Sequence, residues 1–537
     1  MPRPTKRLRL LTLVLVVAAL CLQPSRAAAQ SLPGDLDAYV ERTLKAFEVP
    51  GMAVAVAKDG KVVVARGYGV RKLGEPARVD ADTIFGIGSN TKAFTTASLA
   101  MLVDEGKISW DDPVITHLPA FQMYDPYVTR EMRIRDLLTH RSGLGLGAGD
   151  LLIMPPTTYT RDEIVERLRY LKPVSSFRSK YDYDNLLYIA AGQIIRAVTG
   201  KSWDEFIRER IFVPVGMRSS ATSVTALISG SNVAAPHSRV DGVVRAVAPQ
   251  GLDNAGPAGS INSSAADVAR WMIVQLGGGA LGGVQPGSTA RLFTAARSRE
   301  MWTAQTILPV NDPPPGLDAL RTNFSAYALG WVLREYRGRK LVSHTGGLLG
   351  YVSQVALVPE IGLGVAVLTN QEEDAAFNAV SFHVLDAYLG AEAAPVDWVK
   401  VLGDLKKAQR ARAEQAEKAS AATRATGTRP SLPLEKYPGR YRDPWRDDMT
   451  IALEGGRLVL RFGRTDGLVG DLEHWQHDTF IARWRDRSLH ADAFVTFSLR
   501  PDATIDEVKM QPVSPLTDFS FDFQDLRFTP APQPARK

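Results

Sequence analysis

The chain reads as an α+β protein: an antiparallel sheet flanked by helices with an inserted helical region, followed by a small C-terminal β-barrel. Three observations predict this. Runs of β-branched residues near Val54–Val64 and again from Tyr327 to Thr369 bracket a middle third with helical periodicity. A charged, alanine-rich stretch from Lys400 to about Arg429 interrupts the pattern. Beyond it, short alternating strands recur at regular intervals with turn residues between them.

With 537 residues, 45% hydrophobic and 23% charged, the composition is that of a globular protein able to bury a large core. Residues 1–29 read as a cleaved secretory segment. Arg3, Lys6, Arg7 and Arg9 precede the apolar run Leu10–Leu20, and Ala27-Ala28-Ala29 supplies small residues for cleavage. That run is too short to span a bilayer, and no later stretch is long enough, so the expectation is a periplasmic or secreted protein with no stable membrane span. The single cysteine, Cys21, lies in this segment. Leu20 stands where lipidation would need a small residue. The processed chain then has no thiol, which excludes cysteine catalysis, cysteine metal sites and disulfides. Arg3, Lys6, Arg7, Arg9 and Arg26 carry five of the six net positive charges, so +6 falls to +1 on cleavage. A chain so nearly neutral has no footprint for nucleic acid.

Residues 30–395 form the first predicted domain. Asp59-Gly60 between valine-rich runs predicts a hairpin over about Pro50–Tyr68. Phe94, Ala97, Met101 and Leu102 predict a helix over about Asn90–Glu105, with Gly106 as its stop. Helices are predicted over Leu186–Thr199, closed by Gly200, and over Ala265–Leu276 before three glycines. Gln305–Asn323, rich in Pro and Gly, reads as a surface excursion. Strands are predicted over Leu341–Thr345, Val352–Val358 and Gly364–Thr369. Residues 396–430 read as a solvated helix and a linker, and 431–530 as a separate β domain. The polar linker implies a first domain able to fold alone.

The chemistry centres on Gly88-Ser89-Asn90-Thr91-Lys92 at the entry to a helix. Residues three apart share a helix face, so Ser89 and Lys92 can meet. A serine hydroxyl is a weak nucleophile until a base removes its proton, and a desolvated lysine can be that base near neutral pH. Alone, Ser89 would serve equally as a helix cap. Two further segments complete a set: Tyr183-Asp184-Asn185 before an apolar helix, and His344-Thr345-Gly346-Gly347 beside apolar strands, where glycines admit a close backbone approach.

In this order the three segments resemble the penicillin-recognising serine hydrolases, in the branch of class C β-lactamases, DD-peptidases, D-aminopeptidases and esterases. The resemblance spans about Leu32 to Gly390 and includes Leu137–Gly143, Gly256-Pro257-Ala258-Gly259-Ser260 with Asp267, and Gly362–Asn370. It implies a β-lactamase/transpeptidase-like fold with an appended lipocalin-like barrel. It implies Ser89 as nucleophile, with Lys92 and Tyr183 sharing proton transfer and Tyr183 serving the leaving group. It further implies Asn185, His344, Thr345, Gly346 and Gly347 as substrate-binding residues, and an oxyanion hole from the backbone N–H groups of Ser89 and Gly347. The substrate would be an ester, a D-aminoacyl peptide or a β-lactam. Many β-lactamases of this kind have lysine at the position of His344, which offers a permanent charge to a substrate carboxylate. A histidine, with an ordinary pKa of about 6.5, is largely neutral at pH 7.

The expected reaction is amide or ester hydrolysis through an acyl-serine, without metal or organic cofactor. The alternatives are a D-amino-acid-specific peptidase or carboxylesterase rather than a β-lactamase, and a non-catalytic binder of penicillin or peptidoglycan fragments. There is no GxSxG or P-loop pattern. His474 and His477 are spaced as a metal pair but have no further ligand cluster, and read as surface histidines.

Overall fold

The computed structural model describes residues 32–225, 227, 232–390 and 396–532. The predicted targeting segment and Cys21 lie outside the described residues.

An eight-stranded antiparallel sheet organises residues 32–390. Its order is Lys61–Gly69, Gly51–Lys58, Leu363–Thr369, Tyr351–Val358, Arg339–Leu348, Val332–Tyr336, Ser325–Tyr327 and Thr306–Ile307. The first hairpin turns on Asp59 and Gly60, whose φ angles of 49° and 74° give the turn that matches strand twist. Side-chain alternation divides strand Gly51–Lys58 between two cores. Met52, Val54 and Val56 join Leu36, Val365, Phe377 and Trp398 on one face; Ala53, Ala55 and Ala57 join Phe94, Leu368 and Trp271 on the other. Helices Leu36–Phe47, Asp374–Leu389 and Trp398–Ala422 cover the first face. Helix Ala265–Leu276 covers the second, together with the inserted helical region that carries Thr91–Asp104 and Leu186–Thr199. The span read as a surface excursion contributes Thr306–Ile307 to the sheet edge and buries Leu317.

The C-terminal residues form a second eight-stranded antiparallel sheet, from Gly439–Asp443 to Thr529–Pro530. Reciprocal backbone hydrogen bonds between Val508 and Phe528, of 2.8 and 3.1 Å, bring its ends together into a nearly closed barrel. His474 directs Nε2 at the carbonyl oxygen of His477, 2.9 Å away, so the pair forms a local turn contact.

The barrel does not hang free on its linker. Its buried residues Tyr437, Trp445, Phe462 and Phe523 belong to the same continuous apolar cluster as Leu151, Tyr159 and Leu186. The Tyr159 hydroxyl donates to the Arg446 carbonyl oxygen at 2.6 Å, and the buried Arg446 guanidinium donates back to that hydroxyl at 3.0 Å. Arg464 pairs with Glu163 at 2.7 Å and Arg167 with Asp447 at 2.5 Å. Removing the barrel would expose a large apolar face and strand these charges. We therefore expect a chain cut after Ala422 to be insoluble, or to lack a cooperative thermal transition, in contrast to the autonomy implied by the linker. Circular dichroism melting of the fragment checks this, and a soluble fragment melting like the full chain would refute it.

Candidate active site

Ser89 sits in a single 3₁₀ turn, Gly88–Asn90, that runs into the helix Thr91–Asp104. Gly88 has φ 51°, and a Cβ there would lie 2.7 Å from the Gly347 nitrogen. Only glycine lets the turn press against the strand Arg339–Leu348. Gly346 is equally constrained, since a Cβ there would collide with the Ile87 carbonyl oxygen. Asn90 Nδ2 donates to Ser353 Oγ, which donates to the Ile87 carbonyl oxygen, both at 2.8 Å. These bonds fix the turn to the neighbouring strand.

Lys92 is fully buried. Its Nζ lies 3.0 Å from Ser89 Oγ, 2.7 Å from Asn185 Oδ1 and 3.0 Å from the Ala258 carbonyl oxygen. The last two can only accept hydrogen bonds. Neutral Lys92 therefore spends its two N–H groups on them and turns its lone pair toward the Ser89 hydroxyl. Burial pulls its pKa from the ordinary 10.5 down to about 7, against the attraction of Asp150 and Asp184. Burial also raises those two carboxyls, to about 8 and about 7.

Tyr183 precedes helix Leu186–Thr199, and its ring centroid is 4.7 Å from Lys92 Nζ. Burial raises its phenol well above 10, and hydrogen bonding to Ser89 opposes the shift. The phenol keeps its proton at neutral pH and can pass one on. Tyr183, His140, Tyr181, Tyr188, Tyr327 and His344 form one aromatic cluster.

His344 touches the cavity with both ring nitrogens already engaged. Nε2 is 2.9 Å from the Tyr327 hydroxyl and Nδ1 is 2.6 Å from the Thr345 carbonyl oxygen. Burial lowers its pKa to about 3, so it lines the cavity as a neutral ring with both nitrogens engaged. Ser89, Tyr183, Asn185, Thr345 and Gly347 line the same cavity of about 540 Å³, whereas Gly346 serves the close approach behind it.

The fold and this constellation define a serine hydrolase. Residues 36–389 match the family described as β-lactamase, and the chain belongs to that family. Residues 423–530 match a domain of unknown function (DUF3471). An unguisins hydrolase of Aspergillus campestris is 31% identical over 454 residues, covering 81% of this chain and 80% of its own. Penicillin-binding protein 4 of Amycolatopsis lactamdurans is 30% identical over 331 residues, covering 60% of this chain and 81% of its own. Among solved structures, an octameric penicillin-binding protein homologue from Pyrococcus abyssi superposes with TM-score 0.57 at 22% identity, over 92% of this chain and 99% of that one. A D-amino acid amidase from Ochrobactrum anthropi SV3 gives 0.53 at 24% identity, over 66% and 98%.

Sequence reasoning missed Asp150, which receives Asn185 Nδ2 at 2.8 Å, and the barrel residues Leu489, His490, Leu516, Phe519 and Ser520 that line the cavity. One signal was available: glycines at 143, 145, 147 and 149 mark a segment that another backbone approaches closely.

With Lys92 as base, kcat/KM on a neutral ester should be level above about pH 7 and fall tenfold per pH unit below it, as the lysine protonates. Tyr183→Phe should cost on the order of 10²-fold in kcat, and Ser89→Ala on the order of 10⁶-fold. A pH–rate profile flat from pH 5 to 9 would remove Lys92 from the role of base.

Proposed function

We propose that this chain is an exported hydrolase that cleaves an amide or ester through an acyl-Ser89 intermediate, and that it favours substrates with a free amine over β-lactams. The observation that carries the chemistry is the hydrogen bonding of Lys92, whose lone pair is left for Ser89.

Ser89 Oγ attacks the carbonyl carbon while its proton passes to Lys92 Nζ. The backbone N–H groups of Ser89 and Gly347 receive the oxyanion, the usual device for a tetrahedral intermediate. As the C–N or C–O bond breaks, the Tyr183 phenol gives its proton to the leaving group and recovers one from Lys92. Water then attacks the acyl-serine with Lys92 as base. The proton returns to Ser89 Oγ and the acid product leaves. The complete set of Ser89, Lys92, Tyr183 and Asn185 supports turnover over mere binding.

The cavity wall supports the substrate class. Among the described lining residues the charged side chains are Glu372 and Asp518, and no lysine or arginine accompanies them. Such a lining suits an ammonium and disfavours a carboxylate. Neutral His344 adds no cation for a β-lactam carboxylate. Ile153, Met154, Leu252, Leu348 and Phe519 leave room for an apolar side chain. The D-amino acid amidase likeness agrees with an amide substrate, and the unguisins hydrolase kinship with hydrolysis. The predicted secretory segment supports export.

Hydrogen bonds to a charged group are worth about 1.5–3 kcal/mol against about 1 for neutral ones, a difference of roughly tenfold in rate. kcat/KM for a D-aminoacyl nitroanilide should therefore exceed that for its N-acetyl derivative, and for a chromogenic cephalosporin, by at least about tenfold. Parallel assays of the three substrates check this. A preference for the cephalosporin would refute the substrate class, and a preference for a short-chain nitrophenyl ester over both amides would favour a carboxylesterase.

A further inference from the structure

We infer that the C-terminal barrel is a working part of the hydrolase site, acting through Ser520 on Asp150, and that Asp150 is a positioning residue for Asn185 and Lys92. The inference rests on the reading of Ser89 and Lys92 as nucleophile and base.

The connection is an unbroken hydrogen-bond chain. Ser520 Oγ donates to Asp150 Oδ2 at 2.8 Å. The same oxygen accepts Asn185 Nδ2 at 2.8 Å. Asn185 Oδ1 accepts Lys92 Nζ at 2.7 Å, and Nζ meets Ser89 Oγ at 3.0 Å. The direction of the chain matters. An asparagine amide can present either end to Lys92. Asp150 Oδ2, which accepts both the Ser520 hydroxyl and the Asn185 NH₂ end, leaves Oδ1 of the asparagine to face the lysine. A flipped amide would aim N–H at the ammonium and misdirect the base.

Further contacts tie this arrangement to the barrel. Asp522 accepts Gly149 N at 2.6 Å and Leu151 N at 3.2 Å, holding the segment on either side of Asp150. Gly147 has φ 69°, and a Cβ there would lie 2.6 Å from the Phe519 carbonyl oxygen. Its N–H donates to the Tyr183 carbonyl oxygen at 2.8 Å. The Phe519 ring packs edge-on against Tyr183, with centroids 5.9 Å apart. The barrel segment 519–522 thus braces both proton-handling side chains from behind. Ser520, Asp150 and Asp522 are all buried.

The ionisable groups facing Lys92 are Asp150, Asp184, His140, His344, Tyr183 and Tyr188. Those facing Asp150 are Asp184, Asp522 and Lys92. Asp150 is thus one of two carboxyls that favour the protonated lysine.

The test uses the full chain, a D-aminoacyl nitroanilide, and Asp150→Ala, Asp150→Asn and Ser520→Ala. Thermal melting reports folding, and labelling of Ser89 by a serine-reactive phosphonate in the unsubstituted chain reports the site. Ser520→Ala should lower kcat about tenfold with KM within about twofold. Asp150→Ala should lower kcat at least about a hundredfold. Asp150→Asn keeps an oxygen acceptor but no charge. It should recover at least tenfold of that loss, and the acid limb of its pH–rate profile should move to lower pH. Loss of the same size in Asp150→Asn and Asp150→Ala with the limb unmoved, or wild-type kcat in a folded Ser520→Ala, would overturn the inference while Ser89 still labels. Failure of Ser89 to label would overturn the catalytic reading and this inference with it.

Discussion

The structure depends on one constraint: a lysine amine must be held without water beside a serine hydroxyl, with its other bonding capacity already used. Everything around Ser89 serves that. The helix Thr91–Asp104 places Lys92 beside Ser89, the Ala258 carbonyl and Asn185 take its hydrogens, and tyrosine rings pack over it. A lysine in water would be an ammonium and no base. The low-dielectric site that makes it basic is costly for every charged group in it, which is why burial raises the carboxyls of Asp150 and Asp184 and lowers His140 and His344. The cluster is one electrostatic unit rather than a triad with bystanders.

Much of this was legible in the sequence where the cause is local. Asp59-Gly60 specifies its hairpin through two residues with positive φ. Leu186–Thr199 and Ala265–Leu276 follow from apolar periodicity with glycine stops. The serine–lysine spacing brings the pair together because three residues make most of one turn. The alternating strands of the last hundred residues announced a barrel, although Val469–Gln476, with Asp471 and Glu473 in it, lacks the apolar rhythm that marks the others.

What escaped was the part whose cause is tertiary. Asp150 looks like one more aspartate after a glycine-rich loop, and Ser520 like a polar residue in a surface turn. Their meaning comes from a contact 370 residues apart in the chain. No periodicity records such a pairing. For His344 the uncharged state followed from the residue type, but its partner Tyr327 lies on another strand, so the engagement of its ring nitrogens was invisible.

The separation between Asp150 and Ser520 also bears on how the enzyme comes into being. A ribosome delivers the nucleophile and its lysine within the first hundred residues, yet the brace behind Asp150 is made only after residue 522 has emerged. Because chains are synthesised from the N-terminus at about 5–20 residues per second, Ser89 and Lys92 exist for a substantial interval before their surroundings are finished. High contact order of this kind slows the last step of folding. It also means that an incomplete chain carries the chemical groups without the geometry. The brace is complete only once segment 519–522 has docked behind Asp150.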